Sequence, residues 1–442
     1  MEKDFTSGSL LRGLAAFSFP YMLSCFLQTF YGMADLYVIG QFKGAASISA
    51  VSIGSQVMHM LTVMIVGLAM GSTVNISQAI GKKDTGNAAR SIGNTVILFA
   101  FLSVFFTILL LLGTDAILTL LSTPQEAVIE TKIYLRICFA GIPLIVAYNI
   151  ISCIFRGVGD SQSPLLFIAV ACVCNIAFDF LFIGGLKLGA AGAAFATVLS
   201  QGISVATALY RMVRKKTFSF SLKKSDFRPY GSVIGNILKI GIPVSCQDGF
   251  IQISFLFITA IANSRGVTAA ASVGIVEKII SFLFLVPSAM LASISAIAAQ
   301  NVGAGRNDRA RQILWYGTSV AVIFGAFMAF SFQFFSPTAL SLFTKDNAVI
   351  AMGTQYLKAY VLDCMIAGIH FCFSGFFCAY GKSSLSFIQN FLSIILIRIP
   401  GAYLASVLFP STLYPMGLAA PAGSLFSVIL CILLYFKVNW EH

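Results

Sequence analysis

The chain has 442 residues, of which 58% are hydrophobic and only 10% charged, and its mean hydropathy is +0.91. This composition excludes a soluble protein with an ordinary surface and points to a polytopic membrane protein. The formal charge of +12 does not signal nucleic acid, because Lys and Arg are spread over short segments between apolar stretches and do not cluster beside aromatic platforms.

A helix needs about 20 apolar residues to cross a bilayer core. Windows of that size fall near 14–38, 46–70, 92–115, 134–155, 165–185 and 188–210 in the first half. The segment before them, MEKDFTSGSLLRG, is polar and mixed in charge, so no cleaved signal peptide is expected. Pro20 in the first span removes a backbone donor and permits a bend. The sixth span opens Gly189-Ala-Ala-Gly-Ala-Ala-Phe-Ala-Thr197, small enough for two backbones to approach closely. A basic stretch follows, Arg211-Met-Val-Arg-Lys-Lys216 with Lys223, Lys224 and Arg228. Six further windows lie near 233–261, 268–297, 314–336, 354–378, 385–408 and 417–436, with Pro243 in the seventh span where Pro20 stands in the first. The ten Cys lie mostly inside apolar segments, and Cys172-Val-Cys174 lacks the spacing of a zinc site, so they read as small core residues.

The second half restates the first at a constant shift of 222 residues. Gln78-Ala-Ile-Gly81 becomes Gln300-Asn-Val-Gly303, Tyr134-Leu135 becomes Tyr356-Leu357, and Gly159-Asp-Ser161 becomes Gly381-Lys-Ser383. Internal repeats of this kind mark transporters. The expected fold is therefore an all-α integral membrane protein of twelve transmembrane helices in two parallel six-helix repeats. The expected domains are an N-terminal lobe over 1–210, a basic cytoplasmic linker over 211–232 and a C-terminal lobe over 233–442. Lys and Arg favour one side, with Lys3, Arg12, Lys82, Lys83, Arg90, Arg156, the linker, Arg306, Arg309, Arg311, Lys382 and Lys437. The other side has only Lys43, Lys132, Arg136, Lys187, Arg265, Lys345 and Lys358, which places both termini in the cytoplasm.

An ionisable side chain inside a bilayer is costly unless it faces a cavity or a partner, so the few present are functional suspects. In the N-terminal lobe these are Asp35 and Asp179. Asn175 and Asp179 are four apart, as are Tyr31 and Asp35, so each pair shares a helix face. With Thr197 they fall in one half of the membrane and can line one pocket, unless the two acids merely sit at interfacial helix ends. A desolvated carboxylate exchanges a proton, and Na⁺ coordination by carboxylate, amide and hydroxyl oxygens is the competing use. The C-terminal lobe carries Gln247, Asp248 and Gln252, then Glu277-Lys278, Asp363, His370 and Arg398. Lys278 and Asp363 are expected to form a structural ion pair, and the lone His59 and His370 to be satisfied interior residues. Neither a Walker motif nor a GxSxG elbow is present, so neither an ATP-driven pump nor an enzyme is indicated.

At these residues the chain resembles the multidrug and toxic compound extrusion (MATE) family over nearly its whole length. The matching text is Pro20, Gln28-Thr-Phe-Tyr-Gly-Met-Ala-Asp35 with Gly40, Gln78-Ala-Ile-Gly81, Arg156-Gly-Val-Gly-Asp160, Asn175-Ile-Ala-Phe-Asp179 and Gly189 to Thr197. The likeness is greatest to the DinF-type branch. It implies a cation-coupling cluster of Asp35, Asp179, Asn175 and Thr197, and a substrate site of Gln28, Tyr31, Asp35, Asn149, Asn175 and Asp179. It also implies a bending hinge at Pro20. The Glu that the NorM-type branch carries in span seven is absent.

The expected function is a multidrug antiporter of the cell (inner) membrane that exports lipophilic cationic drugs against H⁺ or Na⁺ by alternating access. It needs no cofactor beyond the coupling ion, has no nucleic-acid partner and acts as a monomer. A flippase for a lipid or lipid-linked sugar is the alternative; a large basic cavity would favour it, whereas the N-terminal cluster is acidic.

Overall fold

The computed structural model describes residues 3–121, 123–214, 218 and 220–440, which form helices joined by short turns and irregular segments, with no strand among them. The helices are α1 Leu10–Phe42, α2 Ala45–Gly81, α3 Thr85–Leu120, α4 Gln125–Ala140, α5 Ile142–Gly157, α6 Gln162–Asp179 and α7 Ala190–Arg214. The second half continues with α8 Gly231–Asn263, α9 Val267–Leu283, α10 Leu285–Gly303, α11 Asn307–Ser341, α12 Asn347–Tyr360 and α13 Asp363–Ala379. It ends with α14 Ser383–Ser393, α15 Ile399–Leu408, α16 Tyr414–Gly417 and α17 Ala419–Lys437.

Among the described residues ten helical stretches are long and apolar enough to cross a membrane, and two bent pairs complete the twelve expected spans. The fourth span is the pair α4 and α5, bent by 51°, and the tenth is α12 and α13, bent by 41°. Both were expected as single helices. Gly141 and Pro143 interrupt the first pair, where hydropathy alone reads as continuous. α1 runs unbroken through Pro20, and α8 through Pro243. The predicted linker starts inside α7, which runs to Arg214, while its Lys215 and Lys216 lie outside the described residues.

The chain divides into two compact units that do not follow chain order. Unit 1 holds Met1–Asp4 and Phe19–Gly241, and unit 2 holds Phe5–Ser18 and Ile242–His442. The first turns of α1 thus belong with the second half, and those of α8 with the first. Polar side chains at different positions in the two halves explain why. In unit 2, Gln300 Oε1 accepts from the Phe5 backbone N–H at 2.6 Å, and the Arg309 guanidinium donates to the carbonyls of Phe5 and Gly8 at 3.3 and 3.0 Å. In unit 1, Asn94 Oδ1 accepts from the Tyr230 N–H at 2.7 Å, and Arg90 lies 5.2 Å over the Tyr230 ring. Each strap of backbone before α1 and α8 is held by side chains that replace its missing helical partners.

The repeat is also visible in backbone conformation. Gly159 and Gly381, at matching positions, adopt φ of 87° and 69°, and Lys83 and Gly305 adopt 57° and 70°. The turns after α2, α5, α10 and α13 are therefore the same device, although Lys83 bears a Cβ in a region that favours glycine.

Asp160 starts α6 by accepting from the backbone N–H groups of Gln162 and Ser163, both at 3.0 Å, and from the Ser163 hydroxyl at 2.7 Å. Burial opposes its charge, yet the hydrogen bonds, those from Ser163 among them, hold this carboxyl below the usual carboxylate range. A depressed folded value contributes stability above the unfolded pKa that is lost as pH falls through the folded one. Asp160→Ala is expected to cost about 1 kcal/mol at neutral pH. In thermal unfolding across pH the difference from the wild type should shrink below about pH 4; a gap that is constant with pH would refute the charged cap.

Candidate functional site

The cluster in unit 1 is assembled from three helices. Asp35 is 2% exposed on α1, Asn175 and Asp179 are fully buried on α6, and Thr197 is half-buried on α7. The i, i+4 spacing of Asn175 and Asp179 turns both toward Asp35, and the side chains of Asp179, Asn175 and Thr197 all approach its carboxylate. Thr197 Oγ1 donates to Asp35 Oδ2 at 3.4 Å. Neither acid lies at an exposed helix end. Directly after Asp179 the chain passes into a wide π turn, Phe180–Gly185, of the kind found at functional sites.

The cluster is short of donors. Asp35 Oδ1, both Asp179 oxygens, and both Asn175 Oδ1 and Nδ2 have no hydrogen-bond partner. A buried polar atom in that state costs roughly 1–3 kcal/mol, and more when charged, so the arrangement persists for a purpose other than stability. The unfilled oxygens of two carboxylates and an amide, with one hydroxyl, are the donor set of a proton or a hard monovalent cation.

Tyr31 lies within electrostatic reach of Asp35, with the Gln201 side chain close by. Gln201 is 3% exposed with its Oε1 unpartnered, and sequence reasoning missed it. The signal was present, since Thr197 and Gln201 are four apart on α7. Asn149 is buried, but its Nδ2 returns to the Ile145 carbonyl of its own helix at 2.8 Å, and no hydrogen bond joins it or Gln28 to the carboxylates.

Unit 2 does not repeat this chemistry. At the positions matching Asp35 and Asp179 it carries Phe257 or Ile258, and Gly401 or Ala402. Its charged cluster uses other positions. Asp363 opens α13 just after the 41° bend, fully buried with both oxygens unpartnered. Arg398 ends a π turn, Ile394–Arg398, donates to the Tyr360 hydroxyl, and lies 5.1 Å over the Phe255 ring and 5.8 Å over that of Tyr360. Glu277 accepts from Thr259 Oγ1 at 3.2 Å. The expected Lys278–Asp363 ion pair does not form. Lys278 is exposed while Asp363 is buried, and among the described residues the only ion pair is Lys132–Asp115 at 2.5 Å. Gln247 Oε1 accepts from Ser386 Oγ at 2.6 Å, while Asp248 and Gln252 are half-buried on α8. The two histidines also differ from expectation, because His59 is exposed and the buried His370 leaves Nδ1 without a partner. All ten Cys are free, and among the described residues no three or more His, Cys, Asp and Glu side chains gather as a metal-ligand group.

Two helical units of six spans, with unpartnered carboxylates held inside each of them, define a membrane transporter of the repeat-built class, not an enzyme. The MatE family profile matches residues 20–181 and again residues 243–404, each copy beginning at the proline of its first helix. The chain belongs to this family, the MATE transporters. It is 31% identical to the probable multidrug resistance protein YpnP of Bacillus subtilis (strain 168), over 99% of this chain and 97% of that protein. It is 25% identical to the multidrug export protein MepA of Staphylococcus saprophyticus, over 92% of this chain and 90% of that one. Among solved structures, an outward-facing multidrug resistance MATE transporter of the MOP superfamily superposes with a TM-score of 0.92 at 22% identity. That match covers 98% of this chain and 96% of the other, and so shows the shared fold.

Proposed function

We propose that the protein exports lipophilic cationic drugs in exchange for an inward-moving H⁺ or Na⁺. The observation that carries the reading is the Asp35–Asp179 pair, in which three of four carboxylate oxygens lack a partner. In a bilayer interior such a pair requires a compensating positive charge. A proton, Na⁺ or the drug itself supplies it, and their competition for one cluster is the coupling. A ligand shifts a conformational equilibrium only through its differential affinity for the two states. Export follows when the cation displaces drug in the outward-open state and the drug displaces the cation in the inward-open state.

Asp35 is the principal coupling carboxylate, with Asp179 its partner and Asn175 and Thr197 supporting it. Tyr31, beside Gln201, forms the aromatic side of the drug site. The uneven distribution of Lys and Arg supports a cell-membrane orientation with both termini in the cytoplasm. The names of the relatives, multidrug resistance and multidrug export proteins, accord with this substrate class.

Ethidium efflux from cells loaded under an imposed proton gradient, and separately under a Na⁺ gradient, tests the reading. Efflux is expected to follow one gradient and stop when that gradient is collapsed. Efflux indifferent to both gradients would exclude antiport.

A further inference from the structure

A groove in unit 2, remote in role from both charged clusters, lies between α14 and α17. It has a volume of about 700 Å³ and is lined by Ile388, Gln389, Leu392, Leu430, Leu433 and Lys437, among others. That size falls in the range of roughly 300–1,000 Å³ common for ligand pockets.

Its origin is local. Ser393 Oγ donates to the Gly423 carbonyl at 2.5 Å, and Ser427 Oγ to the Gln389 carbonyl at 3.5 Å, so small residues bring the two helices together at that level. Toward the end of α17 the facing residues are large, and the gap opens. Leu433 and Phe436 there are 60% and 79% exposed, on a face that a membrane protein turns to lipid.

The groove is not uniformly apolar. Lys437, the last residue of α17, stands at one end. Lys382, next before α14, lies at the same end, its Nζ donating to the Asn439 carbonyl at 2.6 Å and sitting 4.9 Å over the Trp440 ring. Among the described residues neither lysine has an ion-pair partner. In the groove wall, Gln389 is fully buried and donates Nε2 inward to Ser374 Oγ and the Ser386 carbonyl at 3.2 and 3.0 Å. Its Oε1 is left without a partner.

We propose that this groove is a binding site for an anionic phospholipid of the surrounding bilayer, with an acyl chain along Leu392, Leu430 and Leu433 and the phosphate at Lys437 and Lys382. Apolar walls receive the chain, and two lysines at the mouth match the charge of the headgroup. In the orientation proposed above, the mouth faces the cytoplasmic leaflet, where anionic lipids concentrate and each nearby lysine strengthens attraction about fivefold.

Native mass spectrometry of the purified full-length protein, stripped of lipid and titrated with dioleoyl phosphatidylglycerol or dioleoyl phosphatidylcholine, tests this. The wild type is expected to retain one phosphatidylglycerol in preference to phosphatidylcholine. Lys437→Glu should weaken phosphatidylglycerol retention at least about fivefold without changing phosphatidylcholine. Leu433→Trp, which fills the groove, should weaken both, and Lys345→Ala in a distant loop should change neither. All three positions are exposed, and thermal unfolding verifies that the variants fold. Unchanged lipid retention in either Lys437→Glu or Leu433→Trp overturns the proposal, as does equal retention of the two lipids by the wild type. Preferential capture of dodecyltrimethylammonium would assign the groove to cationic amphiphiles instead.

Discussion

Asp35→Asn is expected to reduce gradient-driven ethidium efflux by roughly 100-fold, at the upper end of coupling energies between two ligand sites. The substitution keeps the shape of the side chain and an oxygen able to accept from Thr197, so the helices remain assembled. What it removes is the charge that a proton or Na⁺ neutralises. With a neutral group at this position, drug and cation no longer exclude one another, and the gradient has no purchase on the conformational equilibrium. Asp179→Asn should act in the same direction, because the two carboxylates share one pocket. The decisive measurement pairs efflux with equilibrium drug binding. In the wild type, binding should vary with pH or Na⁺ concentration, and in Asp35→Asn it should not. Efflux that still follows the gradient in both variants at equal expression would move coupling out of this cluster, and Asp363 and Glu277 in unit 2 would be the next groups to replace.

The second large effect is structural. Gly375→Ala is expected to cost about 3 kcal/mol, because a Cβ at this position in α13 would lie 2.4 Å from the Leu291 carbonyl oxygen of α10. Both partners are backbone, so no side chain can move aside. The same crossing in unit 1 is solved differently. Cys153 occupies the position matching Gly375, and its thiol donates at 2.8 Å to the carbonyl of Ala69, which matches Leu291. There the helices stand far enough apart for a side chain, and Cys153→Ala should cost less, about 2 kcal/mol, the loss of two weak sulfur hydrogen bonds, to the Ala69 carbonyl and with Thr73 Oγ1 at 2.8 Å. Gly235→Ala on α8, where an added Cβ meets nothing within 4 Å, should instead stabilise by roughly 0.5–1 kcal/mol. Thermal unfolding in detergent ranks the three; a Gly375→Ala protein as stable as Gly235→Ala would show that α10 and α13 are not held at this spacing.

The contrast between Cys153 and Gly375 shows how much of the molecule could be read before folding. The class, the number of spans and the duplication were legible because hydropathy and repeated turns are properties of neighbouring residues. Turns such as those at Gly159 and Gly381 demand the same backbone wherever they occur. The acidic cluster was also legible, since a carboxylate in an apolar helix stands out and i, i+4 spacing names its companion. Gln201 was lost because a single amide beside Thr197 does not stand out in the same way.

Contacts between distant segments were not legible. The division of α1 after Ser18 and of α8 after Gly241 rests on hydrogen bonds from Gln300, Arg309 and Asn94 to segments far away in sequence, and no local pattern encodes them. The ion pair expected of Lys278 and Asp363 does not form, because position along a helix says nothing of the direction around it, and Lys278 is exposed while Asp363 is buried. By itself, then, the sequence determined a twelve-span, twice-repeated membrane protein with two carboxylates inside its first half, because the bilayer enforces length, polarity and backbone satisfaction residue by residue. Only the tertiary structure decided which helix faces meet, where the fourth and tenth spans bend, and that Arg398 stands among unpaired acids in the second half. Those outcomes depend on side-chain volume and direction at packed crossings, which a linear pattern does not carry.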